Sequence, residues 1–290
     1  MKPLHLFLFA LLTTSINSIA QEPAKAGLYL DGVYNANRDA HDGVYDKENI
    51  GGRRPIQYPY LREADVAWEK RVWREIDMRE KQNFPLYFPV ENVRGRESLF
   101  QVLTKHILNG DIRAFADEEF LMPYELSAIR KKLVVTDTID GFIYDEKGNE
   151  IPVRTPVADS TSIYRQVLKY RVKEDWYFDK QRSCIESRII GLAAYQYDEE
   201  KEGYKELFWV YFPSCRPYFA ASDVYNVKND SERRSFDDIF WKHQYASRII
   251  KESNVYDRYI NEYEKGIDAL IESDKIKNTM FNWESDLWHF

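Results

Sequence analysis

The sequence predicts an α+β fold: an antiparallel β-meander covered by helices, with an extended N-terminal arm. Three observations carry this. Between Tyr164 and Phe178, apolar Leu168, Tyr170, Val172, Trp176 and Phe178 fall on even positions and Arg165, Lys169, Arg171, Lys173 and Asp175 on odd ones. That alternation is a half-buried strand with one polar face. Two further strands follow on short connections, 185–197 and 207–212, which makes a meander. Apolar residues recur at helical spacing before and after it, and residues 21–60 show neither period.

The N-terminal segment predicts export. Lys2 is a positive n-region, Leu4 to Leu12 is an apolar run broken by His5, and Ser18-Ile19-Ala20 is a small-x-small cleavage site. The run is too short for a bilayer, which takes roughly 20 residues. Residues 1–20 therefore read as a signal peptide, with Gln21 the mature N-terminus. No cysteine lies near that point to carry a lipid, and no later run is long and apolar.

The arm, residues 21–60, holds Gly27, Gly32, Gly43, Gly51 and Gly52 among Asn and Asp. Two readings stand: a disordered leader, or a segment that orders on a partner. In the second, Tyr29, Leu30, Val33, Tyr34, Val44 and Tyr45 are the candidate partner contacts. Residues 61–290 form a single α+β domain.

That domain opens with a predicted helix over 61–82. Val66, Trp68, Val72, Trp73 and Ile76 recur at helical spacing, and Glu75 stands four residues before Arg79. Asn83 and Pro85 stop it. A second helix runs over 98–109, with Leu99, Val102, Leu103 and Ile107 as its buried stripe and Gly110 at C′. A third follows Pro123 and ends near Leu133. The run 145–150, Asp-Glu-Lys-Gly-Asn-Glu, reads as a hairpin turn and lacks calcium-loop spacing. In the meander, the uninterrupted apolar run 207–212 predicts a central strand covered on both faces, ended by Pro213. The last third is helical: Ser235 with Asp238 makes a capping box, Ile239, Phe240, His243, Ala246, Ile249 and Ile250 share one face, and a further helix covers 269–283.

Chemistry is hard to find. The net charge is −7, against nucleic acid as the main partner. Aromatic residues make up 15% of the chain, which favours large contact surfaces. No nucleophile motif, phosphate loop or metal spacing occurs, so no catalytic, cofactor or metal residues are predicted. His243, on an apolar face, reads as a core histidine. The adjacent acids Asp237 and Asp238 suit a helix start. A hydrolase could hide an acid pair in any acidic sequence, so a periplasmic hydrolase is the alternative. Cys184 and Cys215 flank the 185–212 hairpin. In an exported chain they read as a disulfide, or else as two buried thiols.

Six segments carry a resemblance: WEKRVWREIDMREK at 68–81, KEDWYFDKQRS at 173–183, LFWVYFPSCR at 207–216, ERRSFDDIFWK at 232–242, KESNVYDR at 251–258 and the ending DLWHF. Together they resemble the gliding motility family GldN, called PorN in non-gliding bacteria. The likeness runs from about residue 61 to the end and is weakest over 134–162. It implies a non-enzymatic structural component of the type IX secretion system of Bacteroidetes. Such a component is periplasmic and forms a large ring with an outer-membrane lipoprotein, GldK or PorK. It also contacts the trans-periplasmic motor protein, GldM or PorM. The family implies no catalytic residues. An outer-membrane barrel, prompted by terminal Phe290, fails on the helical blocks and the shortage of ten-residue alternating strands.

Overall fold

The computed structural model describes residues 29–30, 33–34, 52–93, 95–133, 135–144, 150–159, 161–198, 201–226, 229 and 231–286. It divides into two units, Met1–Glu48 and Asn49–Phe290. In the first unit, β1 (Tyr29–Leu30) and β2 (Val33–Tyr34) pair antiparallel. The Asp31-Gly32 pair between them in sequence is a favoured hairpin dipeptide.

The second unit begins its regular structure with β3 (Val66–Asp77), where the sequence predicts a helix. Val72, Trp73 and Arg74 are all buried, so the strand is covered on both faces and its alternation is masked. Glu75 pairs with Lys169 and Arg248 across strands, and Arg79 with Asp77; the predicted i,i+4 pair does not form. A short helix α1 (Phe84–Tyr87) leads to α2 (Leu99–Leu108), which follows the prediction. Ser98 and Gln101 close a capping box on it, and Gly110 beyond it has φ +85°. Strand β4 (Ala114–Phe115) precedes α3 (Leu126–Leu133), which starts three residues after Pro123 rather than at it.

Strands β5 (Val135–Tyr144) and β6 (Glu150–Asp159) pair with each other alone, on either side of the predicted turn, and α4 (Thr161–Gln166) follows. The meander is β7 (Val167–Asp179), β8 (Cys184–Asp198) and β9 (Gly203–Tyr211), each antiparallel to the next. Pro213 lies in the first turn of α5 (Phe212–Ala221), which carries the chain out of the sheet. A two-residue pair, β10 (Asp223–Val224) with β11 (Arg234–Ser235), precedes α6 (Phe236–Trp241).

The apolar positions 239–250 do not form one helix. Helix α6 ends at Trp241, where the His243 and Gln244 N–H groups return to the Phe240 and Ile239 carbonyls and His243 takes φ +47°. Ile249 and Ile250 then enter strand β12 (Arg248–Glu252). Helices α7 (Ile260–Tyr263) and α8 (Ile267–Asp286) close the chain.

The six-stranded sheet has the order β12-β3-β7-β8-β9-β4. Strand β9 is therefore next to the edge, not central, although Leu207 to Val210 are buried on both faces. On one face, Val172, Leu192 and Val210 share the main core with α2, α5 and α6. Near β12 that face is closed by α8 through Ala269, Ile276 and Met280. On the other face Trp73, Ala193, Trp209 and Ile250 form a smaller core under Phe115, Phe120 and Tyr259. The polar side of β7 is thus not bare: Lys173 is 5% exposed, and its Nζ donates to the Glu118 carbonyl at 2.9 Å.

Gly191 sits where that cover presses closest. A Cβ there would lie 2.7 Å from the Phe120 Cζ. Gly191→Ala should therefore cost about 1–3 kcal/mol, the scale of overpacking. Urea unfolding checks this, and an unchanged midpoint would show that Phe120 yields freely.

Candidate interaction surfaces and a buried charge cluster

Of the predicted anchors, Tyr29 stands opposite Tyr34 and Leu30 opposite Val33. Val44 and Tyr45 lie outside the described residues.

The end of the predicted arm behaves differently from a free tail. Residues 52–60 belong to the second unit, and Arg53, Tyr58 and Pro59 tie them to its body. The Tyr58 ring stacks on Trp241 at 5.0 Å, and the Arg216 guanidinium lies over it at 4.2 Å. Arg188 donates to the Pro59 carbonyl at 2.6 Å and Arg53 to the Arg233 carbonyl at 3.1 Å. Burial pushes the Tyr58 phenol above its usual range. Arg216 is held in turn by a buried two-bond pair, Nε to Asp237 Oδ1 at 2.8 Å and Nη2 to Oδ2 at 3.0 Å. The adjacent acids at the start of α6 thus have separate tasks. Asp237 fixes Arg216, and Asp238 closes the predicted capping box with Ser235.

A second buried cluster centres on Glu174, which has no exposed surface. Its carboxylate accepts from Arg74, from Trp176 Nε1 at 2.7 Å and from His243 Nε2 at 3.0 Å. Burial alone would raise this carboxyl. The Arg74 charge and the His243 and Trp176 bonds outweigh it and hold the group at about 2. His243 is thus a partnered histidine, reached from a left-handed turn rather than from a helix face. Beside it runs a groove of about 590 Å³, lined by Arg74, Trp176, Tyr245, Arg248 and Leu270 among others.

An acid-pair hydrolase needs a carboxyl held protonated as general acid, which takes a raised pKa. Every described carboxyl with a resolved shift moves down. The hydrolase alternative draws no support from this arrangement. Among the described residues, no group of three or more His, Cys, Asp or Glu is placed to hold a metal, and no helix is long and apolar enough to cross a membrane.

The predicted Cys184–Cys215 bridge is not formed in the structure. The β8–β9 register explains why. Gly191 pairs with Tyr211 at the end of the β8–β9 ladder, so Cys184 lies seven residues beyond that pair, roughly 23 Å farther along β8. Cys215 leaves the sheet in α5, where its Sγ donates to the Tyr211 carbonyl at 3.5 Å. A disulfide needs Cα atoms within about 7 Å. Burial pushes the Cys215 thiol well up, so it stays protonated. Alkylation of denatured protein without reductant should label both cysteines; a bridged, unlabelled species would overturn this.

Sequence reasoning missed the exposed apolar pairs Val255-Tyr256 and Leu121-Met122. The first carried a signal: an apolar pair set between Asn254 and Asp257, both turn formers.

Residues 61–289 match the family described as gliding motility associated protein GldN. The chain belongs to that family. A search of curated proteins finds no match. The matched GldN span holds the whole six-stranded sheet and every helix of the second unit, and it starts just after the Tyr58 segment.

Proposed function

We propose that this GldN family member is a non-enzymatic structural component of the type IX secretion and gliding machinery. It works in the periplasm, assembling as a ring with an outer-membrane lipoprotein of the GldK/PorK kind and contacting the trans-periplasmic GldM/PorM protein. The observation that carries this is the family match over residues 61–289. The buried charge pairs Arg216–Asp237 and Arg74–Glu174 are consistent with a structural role, since each ties elements of the fold together. In this reading the anchors Tyr29, Leu30, Val33, Tyr34, Val44 and Tyr45 grip a neighbour or the lipoprotein.

Co-expression with the neighbouring lipoprotein, followed by negative-stain microscopy, tests the assembly. Large ring particles containing both proteins are expected; a monomer that fails to bind the lipoprotein would sink the reading. N-terminal sequencing of the periplasmic protein should begin at Gln21. Deleting residues 22–48 should leave the second unit folded while weakening lipoprotein binding. Unchanged binding would remove the arm from the proposal.

A further inference from the structure

The sheet leaves the first half of β3 paired on one side only. Strand β7 accompanies β3 over its whole length, but β12 covers only Val72 to Glu75. Where β12 ends, the Ser253 N–H donates to the Arg71 carbonyl at 2.9 Å, and the chain turns away through Asn254. Backbone groups alternate along a strand, so those of Glu69 point to the same side as those of Arg71. No strand of the sheet meets them there, and among the described residues no other group bonds to them. Ala67 and Glu69 are exposed.

The surroundings of this stretch differ between its two faces. On the α8 side, Trp68 belongs to the smaller core with Tyr263, and its ring stacks on Trp283 at 4.8 Å. From that core a row runs outward: Arg258 lies over Tyr263 at 4.5 Å and over Tyr256 at 4.9 Å, and Tyr256 is 75% exposed. The loop that carries Tyr256 is held in place, since Asn254 Oδ1 accepts from the Tyr256 N–H at 3.0 Å and Asp257 accepts from Lys251 Nζ at 2.7 Å. On the other face, Arg71 is paired with Asp175, and Lys70 is paired with Glu252. Glu69 has no ion partner among the described residues.

We propose that Val66 to Lys70 is a docking edge for an extended segment of a partner protein, which adds to the sheet as a strand beside β3. A second extended backbone is what supplies N–H and C=O groups at strand spacing. Its side chains on the α8 side would meet Trp68 and Tyr256 and should be apolar or aromatic. Those on the other side would meet Glu69 and should include Lys or Arg. A second copy of this chain fits less well. Paired two-fold about Glu69, two such edges would set like charges opposite one another. The bulge at Ala67, an extra residue between Val66 and Trp68, further guards the edge against its own kind. The inference rests on the ring reading and takes the lipoprotein as the partner, because that reading requires every copy to hold it.

Hydrogen exchange of the full exported chain, alone and bound to the lipoprotein, tests this. Alone, the Glu69 amide should exchange quickly, while those of Lys70 and Val72, turned toward β7, are protected. In the complex the Glu69 amide should slow by about tenfold or more. Glu69→Pro removes only an outward N–H, which an edge tolerates, so the fold should survive while lipoprotein binding weakens by about tenfold or more. Glu69→Lys should also weaken binding, more at low salt than at high. Circular dichroism checks the fold of both variants; if Glu69→Pro does not fold, the wild-type exchange decides alone. An unchanged Glu69 rate in the complex, or wild-type affinity in folded Glu69→Pro, would overturn the docking edge and leave the ring reading standing. Slowing that follows the chain's own concentration without lipoprotein would assign the edge to a second copy and overturn it too. If the wild-type chain binds no lipoprotein, both readings fall.

Discussion

Replacing Glu174 with alanine is expected to destabilise the second unit by about 3–5 kcal/mol, the scale for removing one partner of a buried charge pair. Arg74 is 8% exposed and would keep its charge without a counter-ion. Trp176 Nε1 and His243 would lose their acceptor as well. The pH dependence separates this from loss of packing. The carboxyl is held at about 2, below its ordinary 4.5. A depressed carboxyl contributes stability above its unfolded pKa, and the contribution is lost as pH falls through the folded value. The gap between wild type and Glu174→Ala should be full above about pH 5 and shrink steadily toward pH 2. Urea midpoints at pH 7, 4 and 2.5 measure it; a gap independent of pH would assign the loss to packing. Glu174→Gln keeps the shape and an acceptor, so it should fall between the two.

Arg216→Ala is the second large effect, again about 3–5 kcal/mol, because Asp237 would be left buried and alone. The side chains are only 6% and 8% exposed. This variant has a second readout. Arg216 is the cation over Tyr58, so its loss should free residues 52–60 to protease before the rest of the unit unfolds. Equal protease resistance in wild type and variant would show that Trp241 and Arg188 hold the segment unaided. Removing both charges in Arg216→Ala/Asp237→Ala should cost less than Arg216→Ala alone, since no buried charge is stranded.

Much of the fold was legible where neighbours in sequence are neighbours in space. The meander, helix α2 with its Gly110 terminus, and the Ser235–Asp238 box all follow local rules. Strand β3 does not. Its charges Arg71, Arg74 and Glu75 pair with Asp175, Glu174 and Lys169 on β7. Charges paired across a buried sheet look, in one dimension, like the solvated face of a helix. Trp68, Val72 and Ile76 happen to satisfy both periods, and Trp73 is buried on the opposite face. The same cause hid β12, because Ile249 and Ile250 continue the spacing of α6 past a left-handed turn at His243 that nothing in its residue type announces. The cysteines were misjudged for a simpler reason: the hairpin was read as symmetric, whereas β8 outruns β9 once Phe212 turns into α5. The packing of Tyr58 was not legible because it is one aromatic among many, and its partners Arg188, Arg216 and Trp241 are far away in sequence.

The pairing of β3 sets an order for making the molecule. Arg74 meets Glu174, a hundred residues later, and Glu75 meets Arg248, 173 residues later. A chain delivered N-terminus first therefore carries β3 unmatched until β7 arrives, and with one edge still open until β12 follows near the end. The contiguous strands β7, β8 and β9 can assemble on one another at lower loop-closure cost. Pulse-labelled hydrogen exchange should find protection at Val172, Leu192 and Val210 before Arg248 to Lys251; simultaneous protection would refute the sequence of events. The delay carries a hazard that grows with early termination. A chain ending at Trp241 would lack β12, leaving the long strand β3 as an uncovered edge, ready to add strands from other unfinished copies.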